Sequence, residues 1–519
     1  MDRLPLEILG ERPGRNEAGL APSLAYASYI GGTGTDVVTA VAADADGFLW
    51  VAGYTTSTDL PVTATAVAAA SKGGRDAFVI KLDPRASGLS SLVYATYLGG
   101  AGDEEPVAMV VRGNMVFLAG STSSTDFPTA GNRYKDTNSG RRDSFVVKIN
   151  TAVGGTAGLL YSSYVGGENY EYAYGLAVDS NERMYVTGYT TSTTSFPVTA
   201  NPLQASNRGG YEAFLYVIDP NLGTGSSLVY STYFGGSSTD IATGIALDAS
   251  GKVYLTGQTM SDNFPVTGAA YQTGYHGKGD IFITRLDLTK SGLAGLDYST
   301  YFGGGNFETA YGIAIDPAGN VCLTGYTMSS DFPVTPTAYQ QSFGGLADVF
   351  VAKFDFTAAP GTMLYSTYLG GVGADIAYAL SVGAAGRIYV TGYAYSGGFP
   401  SAGPPLQEGS SGINGAFLSA VDTSASDAAS LLLSTHFGDG GTVGYGLAAD
   451  GAGSLHVAGL TISTALPVTE GALSTVPRGA TDGFVMKVDL SEGQPLGVLS
   501  RNQSAAAPRT PMRVISAPR

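Results

Sequence analysis

The chain has one cysteine, Cys322, and only three histidines, His276, His436 and His456, in 519 residues. A lone thiol excludes an internal disulfide, but it leaves the compartment open, since many exported bacterial proteins also lack disulfides. No C-x-x-C or H-x-x-x-H spacing occurs, so neither a zinc site nor any other metal or cofactor is expected. Charge is also scarce, at 13% of residues, so stability must come mainly from apolar packing. The charge is one-sided: 27 basic against 43 acidic residues leave a net −16. Binding phosphate takes clustered Lys and Arg, so this balance argues against a nucleic-acid partner. No apolar run approaches the roughly 18 residues of a membrane helix, and no membrane insertion is expected. The opening MDRLPLEILGERPGRNEAGLAPS has acids and arginines throughout and lacks the apolar stretch of a signal peptide. No segment of ten or more residues carries a 3.6-residue period, which excludes all but traces of helix.

What the sequence does have is repetition. YSTYFGG stands at Tyr230–Gly236 and again at Tyr298–Gly304. Near-copies begin at Tyr26, Tyr94, Tyr161 and Tyr365, and a degraded one, LSTHFGD, covers Leu433–Asp439. A second marker, an aromatic or leucine followed by proline, falls at Pro61, Pro128, Pro197, Pro265, Pro333, Pro400 and Pro467. The spacing is 67 to 69 residues throughout, and a period of that kind means a repeat architecture.

Each period holds four short runs rich in Val, Ile, Tyr, Phe and Thr, separated by turn residues, and these read as four β-strands. Asp248-Ala-Ser-Gly251 and its copies fit tight hairpins between the first two. The runs are apolar on both faces, as befits a sheet sandwiched between two others. Seven four-stranded repeats predict an all-β, seven-bladed β-propeller over residues 24–490. A polar arm (1–23) and a basic, Ala/Pro/Ser-rich tail (491–519) flank it; either could dock on a partner, and the tail's composition is that of a disordered segment. The first heptad copy precedes any inner strand, and the last repeat lacks an outer one. Leu24–Gly32 is therefore expected to be the outer strand of the last blade, closing the ring and removing two sheet edges. Trp50, the single tryptophan, is expected to pack between blades, and Cys322 to be a buried, inert thiol.

Two segments, YSTYFGGGNFETAYGIAIDPAGNVCLTGYTMSSDFPVTPTAYQ (Tyr298–Gln340) and DVFVAKFD (Asp348–Asp355), carry a resemblance to a known family. They resemble the bacterial SBBP family of β-propeller repeats, and the likeness extends over roughly Leu24 to Leu490. The resemblance implies a seven-bladed propeller, often in secreted or surface proteins. It implies no agreed activity and no shared catalytic residues.

The residues themselves offer little chemistry. There is no nucleophile elbow, and the Gly-Gly pairs recur with the heptad as turn signals. Asp44-Ala-Asp-Gly47 begins like a calcium loop, but its twelfth position is Thr55 where a Glu is needed, so a structural turn is expected. The connections from outer to inner strands vary most, reading AGDEEP (Ala101–Pro106), ENYEY (Glu168–Tyr172) and GNFET (Gly305–Thr309). In a propeller they share a face with the long loops that carry the proline marker. That face is expected to be thick, variable and acidic, with Glu104, Glu105, Asn169, Tyr170, Glu171, Tyr172, Asn306, Phe307 and Glu308 as candidate binding residues. The expected function is a non-catalytic binding or scaffold module that recognises a protein or glycan, at the cell surface or within a larger assembly. The alternative is a polysaccharide-acting hydrolase or lyase with carboxylates at the channel mouth.

Overall fold

A computed structural model describes residues 20–357, 361–383, 385–409 and 414–492. The outer parts of the two flanking segments, 1–19 and 493–519, lie outside these residues, so the expected docking of the arms does too. Among the described residues, 28 strands form seven four-stranded antiparallel sheets. In each, strands a to d run from the axis outward; blade 1 is Asp36–Ala43, Leu49–Thr55, Asp76–Leu82 and Leu92–Leu98. Among the described residues the helical segments are four short 3-10 turns, none long and apolar enough to cross a membrane.

The last sheet joins the two ends of the ring. Strands Val443–Ala449, Leu455–Thr461 and Asp482–Glu492 are completed by Leu20–Ile30, which pairs antiparallel with the third, Ala27 opposite Met486 and Tyr29 opposite Phe484. The closing strand begins four residues before the heptad-based expectation, because Leu20 is itself buried in the blade.

The heptad pins a loop to strand d. In Tyr298–Gly304 each polar side chain has a partner in the long b–c loop. The Tyr298 hydroxyl accepts from the Tyr271 N–H (2.9 Å), and Ser299 donates to the Pro265 carbonyl (2.6 Å). Thr300 accepts from the Gln272 N–H (2.8 Å). Tyr301 accepts from the Phe264 N–H (3.0 Å) and donates to the Ser261 carbonyl (2.8 Å). Phe264, held in this way, stacks on Phe282 of strand c with ring centroids 4.7 Å apart. Four other blades bring the same two phenylalanines to 4.7 to 5.2 Å, tilted by 32 to 42°. The Phe-Pro marker is thus the anchor of a loop that would otherwise lie loose on the blade.

Every strand a carries a β-bulge three residues after the position that Asp36 holds in blade 1, at Thr39, Val107, Tyr174, Thr243, Tyr311, Tyr378 and Tyr445. A bulge re-aims one side chain. The four tyrosines meet with Val37 in one buried cluster drawn from five blades, which only the centre of the ring allows. Tyr311 and Tyr378 stack at 5.4 Å, and Tyr378 lies 5.2 Å from Tyr445. The centre of the ring is filled with aromatic rings.

Trp50 is fully buried, and its indole N–H donates to Asp44 (2.9 Å). The other Asp44 oxygen accepts the N–H groups of Asp46 and Phe48, so this carboxylate organises a hairpin, as expected for a structural turn. Cys322 occupies the equivalent place in blade 5, where burial pushes its thiol up to about 12.

Candidate binding face

The candidate residues divide into two groups. Glu104, Glu171 and Glu308 are fully buried and open strand a of blades 2, 3 and 5. They stand in register with Asp36, Asp240 and Asp375, and all six do the same job. Each carboxylate accepts the second glycine N–H of the preceding heptad, as in Gly304 to Glu308 (3.0 Å). Each also takes a Ser or Thr hydroxyl from the end of strand b; Thr190 and Ser192 both donate to Glu171 at 2.6 Å. Burial pushes Glu171 and Glu308 up to about 7.

These acids meet others. The acid that opens strand c of one blade faces the acid that opens strand a of the next: Asp482 with Asp36, Asp76 with Glu104, Asp143 with Glu171, Glu212 with Asp240, Asp280 with Glu308, and Asp348 with Asp375. The first heptad glycine lies between them. A Cβ at Gly303 would sit 2.6 Å from Glu308 and 2.8 Å from Asp280, so no other residue fits. This explains why the first glycine of the pair recurs at all six joints that hold the acids. Only the joint between blades 6 and 7 differs, with Gly415 and Thr442 in place of the acids. Among the described residues, no three His, Cys, Asp or Glu side chains gather as a metal site.

The second group lies on the loop face. Asn169, Tyr170, Tyr172, Asn306 and Phe307 are partly exposed. Asn169 and Asn306 mainly serve the loop through their backbone: their carbonyls accept the N–H groups of Arg141 and Lys278, both at 2.9 Å. Glu105 is nearly buried because Arg75 and Arg142 clamp it, each at 2.7 Å. Arg75 also holds Asp103 at 3.0 Å. The face is less acidic over blades 1 to 3 than expected: Glu104 and Glu171 are turned into the blade joints and Asp103 and Glu105 are paired with arginine, while Asp126 and Glu168 stay on the loops and accept backbone N–H groups.

What the face presents there is aromatic and basic. Tyr170, Tyr172 and Tyr189 stack in series with centroids 6.3 and 5.2 Å apart, and Tyr211 meets Tyr189 edge-on at 5.1 Å. Arg142 lies over Tyr172 at 5.2 Å and exposed Arg141 over Tyr170 at 5.5 Å. Arg75 lies over Tyr54 at 5.4 Å. Phe307, two blades away, stands under Lys278 at 5.8 Å. Tyr172 is the second residue of strand a and so shares a repeat position with Val37, Glu105, Ile241, Thr309, Ile376 and Val443. The sequence reading missed the arginines, although a signal existed. The residue before the strand-c acid is Arg75 in blade 1 and Arg142 in blade 2, against Tyr211, Gly279, Ala347 and Thr481 elsewhere.

A family model described as SBBP, beta-propeller repeat, matches residues 25–61, 160–197, 229–265 and 297–333. Each match runs from strand d of one blade to the Phe-Pro or Leu-Pro marker of the next. No curated protein sequence matches the chain. Among solved structures, the chain is similar to a protein of unknown function from Dyadobacter fermentans (13% identity, TM-score 0.33, covering 73% of this chain and 96% of that one). It is also similar to a gluconolactonase from Xanthomonas campestris (10%, 0.30, 76% and 98%) and to a PQQ-bound aldose sugar dehydrogenase from Streptomyces coelicolor (12%, 0.35, 91% and 99%). Likenesses at this level carry no argument about what this chain does.

Proposed function

Starting from a chain of SBBP β-propeller repeats, we propose that this protein is a non-catalytic recognition module that holds a protein or glycan on its loop-rich face, over blades 1 to 3. The observation that carries the reading is the tyrosine ladder Tyr170–Tyr172–Tyr189–Tyr211 with Arg141 and Arg142 on its rings and Arg75 over Tyr54. Tyr189 shares its repeat position with Tyr54, Tyr326 and Tyr393, which all pack against the central cluster, but no other repeat has a tyrosine at the positions of Tyr170, Tyr172 and Tyr211. Rigid aromatic rings and arginines anchor recognition surfaces at small entropic cost. Rings held parallel offer apolar faces to a sugar or a peptide, while the guanidinium groups orient its polar groups.

The acids favour binding over chemistry. A glycosidase sets two carboxylates roughly 5 to 10 Å apart, both reaching the substrate. Here the recurring acids are turned into the joints, and Glu105 is held between two arginines. The test is a glycan array probed with the wild-type protein and with a Tyr170→Ala/Tyr172→Ala/Phe307→Ala variant. Binding by the wild type and at least tenfold weaker binding by the variant is expected. Equal binding by both, or turnover of a polysaccharide lost on neutralising a loop-face carboxylate, would overturn the reading.

A further inference from the structure

Six of the seven joints bury two carboxylates against each other, every one of the twelve at most 1% exposed. We propose that each of these joints holds one proton shared between its two carboxyl groups, so that the native ring is a store of about six protons that the unfolded chain releases.

At four of the six joints the geometry leaves a donor missing at the centre of the pair; at the other two Gln204 and the Arg478 N–H reach the inward oxygens of Glu212 and Asp482. Around Asp76 and Glu104 the outward oxygens are satisfied: Asp76 Oδ2 accepts the Lys72 and Gly73 N–H groups, and Glu104 Oε1 accepts Thr122 and Ser124, both at 2.6 Å. Asp76 Oδ1 turns instead towards Gly99 and Glu104, where it is buried with no hydrogen-bond partner. The inward oxygens of Asp143, Asp280 and Asp348 are stranded in the same way. Two ionised carboxylates cannot face each other out of water without a positive charge between them. Lysine and arginine do not supply it generally. Lys135 reaches Asp143 (3.1 Å) from its outer side, and the Arg478 guanidinium near Asp482 is paired with Asp59 at 3.1 Å.

At the joint of blades 4 and 5 the facing groups are Gln272 and the His276 backbone N–H on Asp280, and Thr327 on Glu308, with the neutral phenols of Tyr275 and Tyr301 nearby. No lysine or arginine pairs with that couple among the described residues. A metal ion would want more oxygens than two carboxylates and their glycine bring together.

The seventh joint makes the same point by subtraction. It lacks both acids at once, and Thr442 there bonds Thr461 at 2.8 Å. The two acids are absent together, and a pair of hydroxyls stands where one of them would accept. Burial also raises the carboxyls on both sides, Asp280 and Asp348 to about 6 and Glu212 and Glu308 to about 7.

The sign follows. Groups raised in the folded state contribute stability that is fully present below the unfolded value of about 4 and lost as pH climbs through about 7. The full chain should therefore melt about 10 °C lower at pH 8 than at pH 5.5. Calorimetry at pH 5.5 in buffers of unlike ionisation enthalpy should show a net release of about four to six protons on unfolding, with the three histidines setting the spread. Glu308→Gln places a neutral donor where the proton sits. It should melt above wild type at pH 8 and release about one proton fewer; Asp280→Asn, from the other side of the joint, should do the same. Release of no protons, or a melting temperature equal at both pH values, would overturn the proposal. So would a variant that melts lower at pH 8 in a protein that chelator also destabilises, because a bound cation would then be holding the pair.

Discussion

The joints between blades and the patch over blades 1 to 3 lie within a few residues of each other, yet they obey opposite rules. Glu104 and Glu171 open strand a as Asp36, Asp240 and Glu308 do, because six of the seven joints set an acid beneath the glycine. The very next position holds Glu105 in one blade and Tyr172 in the other, and small or aliphatic residues elsewhere. Where the chain repeats itself, the residue serves the blade. Where it departs from the repeat and still builds an ordered cluster, the residue is free to serve something outside the blade. A repeat protein thus separates structure from function along its own sequence.

The largest break in this picture should come from removing the chain through Gly32. That deletes the outer strand of blade 7, bares the edge of Asp482–Glu492 and unpins the loop held by Tyr26 and Tyr29. A fall in melting temperature of at least about 10 °C is expected on thermal denaturation. If the shortened chain melts with the full one, the ring does not depend on this strand.

Next comes Gly303→Ala, which drives a methyl group between Glu308 and Asp280. Overpacking of this kind costs about 1 to 3 kcal/mol, to be read from the midpoint of urea unfolding. The same substitution at Gly440, with nothing within 4 Å of its added Cβ, should cost less than about 0.5 kcal/mol. Equal costs at the two sites would mean that the joint is not tight.

Tyr301→Phe is subtler. It leaves the ring packing intact and strips the Phe264 N–H and the Ser261 carbonyl of one shared partner, at a cost of about 1 to 2 kcal/mol in the same measurement. The smallest effect on stability should come from the patch: Tyr170→Ala with Tyr172→Ala, both partly exposed, should move the urea midpoint by less than any of these. A large loss there would place the tyrosines in the framework after all.

The fold was legible because seven copies of one heptad fix strand number, blade number and closure together, and the period overrides local ambiguity. The site was legible only in part. Glu104, Glu171 and Glu308 look unmatched in a string of letters because three blades use Glu where three use Asp. In space the two acids reach the same glycine N–H, and only the register of strand a reveals it. Arg75 and Arg142 were hidden for a related reason. They come just before strand c, far along the chain from Glu105, and only the ring brings them to either side of it.

A second aromatic pair on the same face supplies the most direct test of the recognition patch. Tyr393 and Tyr395 of blade 6 stack at 6.0 Å, and Tyr395 is 57% exposed, but no arginine or lysine is found over either ring among the described residues. A glycan or peptide selected on the wild-type protein should be titrated against two variants side by side, Tyr170→Ala/Tyr172→Ala and Tyr393→Ala/Tyr395→Ala. Recognition over blades 1 to 3 predicts at least a tenfold loss of affinity in the first and an unchanged affinity in the second. An unchanged first variant, or a loss confined to the second, would contradict it.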